Sequence, residues 1–225
     1  MRVLVACEYS GTVRDAFKAK GHDAWSCDIL PTDKEGQHYQ CDVREVLDKG
    51  WDLMIAHPPC TYLAVSGMHW TTRGLRDSKL TEDALDFVRT LLNAPIPRIA
   101  LENPVSVIST RIRKPDQAIH PWMFGNDYSK KTCLWLKNLP TLQADLNKVI
   151  PPKGYAVATF GDWPVQEYCG VRFKRLEGGL DKMRWANQTP AGQDRLGPSP
   201  DRWKIRSKTF QGVADAMAEQ WGSCG

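Results

Sequence analysis

Residues 52–67, DLMIAHPPCTYLAVSG, carry the strongest chemical signal in the chain. An apolar run from Leu53 to Ala56 breaks at Pro58 and Pro59, and Cys60 follows at once. Two prolines lock φ and end the strand, so the cysteine stands on a rigid turn at the rim of a sheet with its sulfur toward a cleft. A rim thiol can act as a nucleophile, whereas a cysteine sealed in the core is inert. Further on, ALENPV at 100–105 ends a second apolar run on the carboxyl group of Glu102. A thiol and a carboxyl group on neighbouring strand ends suit covalent attack on a ring whose nitrogen takes a proton or a hydrogen bond. The residues by themselves leave another reading open, a packing cysteine beside an ordinary surface glutamate.

The elements that must hold these groups alternate along the first half of the chain. Strand-like runs are read at Arg2–Ala6, Ala24–Cys27, Tyr39–Cys41, Leu53–Ala56 and Ile99–Leu101, the last stopped by Pro104. Between them, Val13, Ala16 and Phe17, and then positions 80, 84, 85, 88, 91 and 92, recur at helical spacing. Strands alternating with amphipathic helices predict an α/β fold with a parallel sheet covered by helices on both faces. Glu8, Asp28, Cys60 and Glu102 all fall at strand ends, where such sheets bind ligands near the point of strand-order reversal. After about residue 110 the alternation fades. Cys133–Leu136 and Ala156–Phe160 read as further strands and Phe210–Trp221 as a final helix, with a Gly-, Pro- and Trp-rich stretch at 161–208 read as a small irregular insertion or lid.

With 225 residues, one full domain and a small appendage are expected. Hydrophobic residues at 42% and charged residues at 25% exclude disordered and collagen-like classes. The net charge of +4 is too small to name a partner, but its distribution is uneven. Residues 171–208 hold ten basic and four acidic side chains, a net +6, so the other 187 residues sum to −2. Either this is a solvated surface stretch or it binds a polyanion. Trp185 and Trp203 lie within it, placed either to stack on bases or to pin a loop to the core. Seven cysteines without a CxxC pair or a zinc-ligand block point to thiols in a reducing, cytoplasmic compartment and to no metal. The apolar N-terminal run is too short for a signal peptide, and no stretch has the length of a membrane span.

These motifs, in this order, resemble the DNA (cytosine-5) methyltransferase family. ACEYSGTVRDAF at 6–17 resembles the loop that receives S-adenosylmethionine, with Gly11 alone of its usual glycines. SCDIL places Asp28 where the family binds the ribose hydroxyls, and CDVRE places Asp42 where it meets the adenine amino group. HPPCTYLAVSG resembles the catalytic motif, LENPV the Glu-Asn-Val motif with Pro104 in place of Val, and TFQGVADAMAEQWG at 209–222 the last motif, whose helix returns to the cofactor domain. The resemblance covers most of residues 1–135 and the last seventeen. It implies a Rossmann-like S-adenosylmethionine-dependent methyltransferase sheet, with a cofactor-binding and catalytic domain at 1–160, a small basic recognition or lid segment at 161–208, and a returning C-terminal helix at 209–225.

The resemblance further implies that Cys60, presented by Pro59, attacks C6 of cytosine. Glu102 protonates or hydrogen-bonds N3, and Asn103 holds the loop or serves as a plain turn residue. Glu8, Tyr9, Ser10, Gly11, Asp28, Ile29, Asp42, His57 and Pro58 are then the cofactor-binding set. DYSKKTCLWL at 127–136 stands in the place of a Gln-x-Arg-x-Arg motif, which leaves Lys130 or Lys131 to meet cytosine O2. Ser66, Arg172, Lys174, Arg175, Arg184 and Trp185 complete the expected DNA contacts. The acceptor is cytosine in DNA, flipped out or single-stranded, because its C5 and C6 are closed off inside a stacked duplex. Only about seventy residues separate the weakened motif from the last helix, so few bases would be read. Three alternatives stay open: an N-directed DNA amino-methyltransferase, an enzyme acting on a free pyrimidine nucleotide, and a catalytically inert nucleic-acid-binding protein. His57 either helps deprotonate Cys60 or caps its strand, and His69 and Trp70 are read as loop packing. Cys7, Cys27, Cys41 and Cys133 are read as core.

Overall fold

A computed structural model describes residues 1–200 and 202–223, the side chains of Trp203 and Ile205 excepted. Asp201 and the Trp203 side chain, both counted in the basic segment above, lie outside the described residues. The chain divides into two compact units, one of residues 1–118, 131–142 and 214–225, the other of residues 119–130 and 143–213.

The first unit is built on a sheet whose strands are β1 (Arg2–Ala6), β2 (Asp23–Asp28), β3 (His38–Gln40), β4 (Leu53–Ala56), β5 (Arg98–Pro104), β6 (Gln117–Ile119) and β7 (Thr132–Lys137). Their order is β3-β2-β1-β4-β5-β7-β6, with β7 antiparallel to β5 and parallel pairing from β3 through to β5. The helices accompanying it are α1 (Thr12–Ala19), α2 (Met68–Thr72), α3 (Lys79–Leu92) and α4 (Ile108–Arg111). The order runs outward from β1 in one direction and from β4 in the other. Because β-α-β crossovers are right-handed, that reversal puts α1 and α3 on opposite faces. The burial pattern agrees. Leu4, Ala6, Met54, Ala56, Ile99 and Leu101 share one core cluster with Leu85, Val88 and Leu91 of α3. The intervening Val3, Val5, Leu53, Ile55 and Ala100 are also fully buried and point to the other face, as strand alternation requires.

β5 runs through Pro104 rather than stopping before it. Pro104 pairs with Thr132 as the last residue of the β7 ladder, a strand end where a missing N–H is tolerated.

The second unit contains a three-stranded antiparallel sheet of β8 (Tyr155–Val157), β9 (Val165–Tyr168) and β10 (Val171–Arg175), in the order β8-β10-β9. Part of the stretch expected to be irregular is therefore a hairpin. Its two-residue turn, Cys169–Gly170, has positive φ at both positions (49° and 78°), the requirement of a type I′ turn. Asn-Gly is the usual sequence for this turn, which is why Cys-Gly escapes notice. A short helix, α5 (Arg202–Ser207), follows, and α6 (Gln211–Gly222) ends the chain. Within the first unit, Trp221 of α6 is fully buried and its Nε1 donates to Pro140 O at 2.9 Å. No described helix is long and apolar enough to cross a membrane.

Candidate functional site

β1 and β4 are the strands flanking the reversal of sheet order, and the carboxyl ends of both carry candidate residues. After β1, Cys7 turns the chain with φ of 59°, and Glu8, Tyr9 and Ser10 lead buried into α1. Glu8 is only 4% exposed, and the protein uses its carboxylate itself. One oxygen accepts from Val13 N (2.7 Å) and Ser10 Oγ (3.1 Å), the other from Arg14 N (3.2 Å). The first amides of α1 are thus satisfied by a negative side chain where Gly11 cannot cap. The position that a phosphate takes in dinucleotide-binding sheets is filled by a carboxylate, so these amides are not free for a phosphate.

Arg14, fully buried on α1, stitches this loop to the one after β2. Its guanidinium donates to Ser26 Oγ (3.2 Å), Thr32 Oγ1 (3.3 Å), Lys34 O (3.2 Å) and Glu35 O (3.1 Å) and pairs with Asp15 at 2.8 Å. Asp33 N adds a bond to Tyr9 O at 2.8 Å. The pinned segment begins at Asp28 and Ile29. Asp28 is half-buried, accepts from Leu30 N at 2.9 Å, and burial pushes its carboxyl above the usual range. Ile29 beside it is 73% exposed. Asp42, on the next strand end, is turned to its own neighbour. It accepts from Arg44 N, Nε and Nη2 at 2.9, 2.9 and 2.5 Å, and the guanidinium holds its carboxyl below the usual range. Glu8, Asp28 and Asp42 bring three carboxyl groups to this end, with Arg14 buried between the loops that carry the first two and Arg44 paired to the third. Such a donor set fits a cationic, phosphate-free nucleoside such as S-adenosylmethionine. If it were bound here, a strand-end carboxylate such as Asp28 would be suited to its ribose diol.

β4 and β5 are paired neighbours, Ala56 opposite Leu101, so the chain leaves both at one end of the sheet. Pro58 is buried, and Pro59 and Cys60 are exposed. The Cys60 carbonyl accepts from Leu63 N (3.0 Å) and Ala64 N (2.9 Å), closing a tight turn under the thiol. On β5, Glu102 Oε2 lies 2.9 Å from His57 Nδ1, both side chains largely enclosed. Asn103 is 1% exposed and its Nδ2 donates to Pro58 O at 2.9 Å, fastening the Pro-Pro-Cys turn to the β5 end. Two backbone bonds, Val65 N to Val105 O (3.1 Å) and Val107 N to Leu63 O (2.9 Å), continue that fastening. His57 Nε2 and Asn103 Oδ1 are buried without a hydrogen-bond partner. Buried polar atoms of this kind are rare and call for a ligand or an ordered water. Ser66 is exposed on a short 3-10 turn, Val65–Gly67, beyond the cysteine.

In the second unit the predicted nucleic-acid residues fare unevenly. Trp185 is 5% exposed. It stacks on Trp122 at 4.9 Å, packs against Phe173 and Tyr168, and donates from Nε1 to Ile150 O at 2.8 Å. Its ring is spent in the core and offers no face to a base. On β10, Arg172 is exposed, Lys174 pairs with Asp162 (3.1 Å) and Arg175 with Asp181 (2.7 Å). Arg184 is half-buried. Lys130 Nζ donates to Arg206 O at 2.9 Å, while Lys131, in the first unit, is exposed. Among the described residues no group of three or more His, Cys, Asp or Glu is placed to hold a metal. Sequence reasoning passed over Arg14. Gly11 and Gly36, both pressed against its guanidinium, are the signal that marks it.

The strand order, with its antiparallel β7 inserted between β5 and β6, defines an α/β Rossmann-like methyltransferase fold. No family model matches the sequence, and no curated protein does. Among solved structures, the chain is similar to an E. coli prophage-encoded protein described as a DNA modification methyltransferase. The identity is 12% and the TM-score 0.41, over 60% of this chain and 46% of that one. The chain therefore matches less than half the length of that neighbour.

Proposed function

We propose that this chain is an S-adenosylmethionine-dependent methyltransferase acting on C5 of cytosine in DNA through a covalent Cys60 adduct. The observation that carries the reading is the pairing of strand ends. An exposed thiol on a Pro-Pro turn and a carboxyl group held by a histidine leave neighbouring strands beside the reversal of sheet order. S-adenosylmethionine supplies an electrophilic methyl group when bound. Cys60 Sγ, as the thiolate, forms a bond to C6 of the ring, and Glu102 supplies a proton or hydrogen bond to N3 as charge develops there. C5 becomes nucleophilic, takes the methyl group and loses its proton. Elimination of the thiolate then restores the aromatic ring. His57 fixes the Glu102 carboxyl through Nδ1, and Asn103 fixes the turn beneath Cys60 through Pro58 O. Both are positioning residues in this scheme.

The base must be unstacked before Cys60 can reach C6. The second unit, thirteen basic against eight acidic side chains and thus a net +5, is the part suited to phosphate contact. The first unit, at −1, is not.

The test uses DNA carrying 5-fluorocytosine, whose C5 substituent cannot leave as a proton does. With S-adenosylmethionine present, wild-type protein is expected to form a stable protein–DNA adduct that maps to Cys60 by mass spectrometry. Cys60→Ser is expected to give neither adduct nor 5-methylcytosine while still binding the methyl donor. Full methylation by that variant would refute the covalent route.

A further inference from the structure

The turn between β8 and β9 carries two aromatic side chains that the fold does not use. Phe160 is 104% exposed and Trp163 86%, the two most exposed large apolar side chains among the described residues. Enclosing an aromatic ring stabilises a fold by roughly 1.5–3 kcal/mol, and both rings forgo it. Other rings of the same unit, Trp122, Trp185 and Phe173, are buried against one another. Phe160 and Trp163 take no part in that cluster.

The turn that presents them is firmly built. Asp162 Oδ2 accepts from Thr159 N (2.6 Å) and Thr159 Oγ1 (2.9 Å), and Oδ1 accepts from Lys174 Nζ (3.1 Å). These bonds hold the Asp162 carboxyl ionised, its pKa lowered to about 2. Gly161 turns the chain at φ of 90°, Pro164 stiffens the exit, and Ala158 N bonds to Arg172 O at 2.8 Å. The backbone that presents the two rings therefore needs little further ordering when something stacks on them.

The surroundings indicate what that is. By strand alternation Arg172 and Lys174 share one face of β10, opposite the buried Val171 and Phe173. Glu167, across from Arg172 in the β9 register, and Asp162 beneath Lys174 are the acidic groups at this end. The unit as a whole is +5. Exposed aromatic faces on a unit of net positive charge suit unpaired nucleic-acid bases, since every base offers a π-face and every linkage a negative charge.

We propose that Phe160 and Trp163 form a stacking platform for unpaired bases of the DNA substrate. The proposal rests on the DNA reading above and adds to it the residues and the mode of binding. The assay is fluorescence anisotropy of a labelled single-stranded oligonucleotide, with no methyl donor present. Relative to wild type, each of Phe160→Ala and Trp163→Ala is expected to weaken binding about fivefold or more, the low end of what one base–aromatic stack contributes. The slope of affinity against salt should stay unchanged, because the phosphate contacts remain. Trp163→Phe, which keeps a π-face, should restore affinity while losing the fluorescence quenching that a base on Trp163 produces. Wild-type binding that neither alanine variant weakens would overturn the platform and leave the DNA reading standing, as would a Trp163→Phe variant as weak as Trp163→Ala. If the wild-type protein binds no oligonucleotide at low salt, both readings fall together.

Discussion

Arg14 makes a sharp prediction because two glycines exist around it. A Cβ on Gly11 would lie 2.6 Å from Arg14 Nη2 and 3.0 Å from Cζ, and one on Gly36 would lie 2.6 Å from Cζ. A clash with the far end of a long side chain is ordinarily cheap. Here the guanidinium is fully buried and tied to Ser26, Thr32, Lys34, Glu35 and Asp15, so it cannot swing aside without losing several charge-assisted bonds. Gly11→Ala therefore carries two costs. The left-handed backbone at φ of 67° contributes about 1–2 kcal/mol. Displacing the guanidinium contributes about 2–3 kcal/mol more, the value of one to two such bonds. Arg14→Leu removes the charged end, keeps an apolar stem, and by itself should cost about 3–5 kcal/mol, because several enclosed acceptors lose their donor. In that background Gly11→Ala meets no guanidinium and should cost only the backbone share, about 1–2 kcal/mol. The double-mutant cycle, measured by equilibrium urea unfolding, is expected to show coupling of about 2–3 kcal/mol, with the pair less destabilised than the sum. Gly36→Ala should couple to Arg14→Leu in the same sense from the other side of the group. Additivity within about 0.5 kcal/mol would refute the packing argument.

Three further predictions concern the chemistry and the pH response. Glu102→Gln should slow methyl transfer at least about 100-fold, the usual contribution of a positioned acid. His57→Ala should lower kcat with little change in KM for DNA, while His57→Asn, which keeps a donor near Nδ1, should recover part of the loss; equal loss in both variants would remove the hydrogen bond to Glu102 from the account. At alkaline pH, burial raises the thiols of Cys7 and Cys27, the latter to about 12 from an ordinary value of 9.0. The unfolded chain releases those protons first, so stability is intact below about pH 9 and declines as pH rises toward 12. Urea midpoints between pH 7.5 and 10.5 should fall, and should fall less in Cys27→Ala; parallel curves would contradict the assignment.

The parts of the fold legible in the sequence are those where one local signal suffices. β1, β4 and α3 carry uninterrupted apolar runs or a clean helical face, and Pro58–Pro59 marks the end of β4. The β9–β10 hairpin was obscured because its turn uses Cys169 at positive φ, and because short strands of mixed Val, Gln, Glu, Arg and Lys carry little apolar contrast. Trp185 shows a different limit. A tryptophan among basic residues has the same sequence signature whether it faces solvent or, as here, stacks under Trp122. Exposure decides between those cases, and exposure depends on pairings distant in sequence. Phe160 and Trp163, the most exposed aromatic side chains among the described residues, lie outside the densest basic run and had no such signature.

The candidate site divides along the same line. Residue types at strand ends are local information, so Cys60, Glu102 and Asp28 stand out before any fold is known. What each group is bonded to is non-local. Glu8 is an acidic strand-end residue like Asp28, yet its carboxylate is taken up by the amides of Val13 and Arg14. That use has a consequence for ligand choice. In a dinucleotide-binding sheet the first helix offers bare amides to a pyrophosphate. Here the chain supplies its own anion, so the amides of Val13 and Arg14 are not free for a phosphate. Residue type at a strand end is thus readable locally, whereas whether the group is open to a ligand, as Asp28 is beside exposed Ile29, or spent on the fold, as Glu8 is, depends on pairings the sequence does not display.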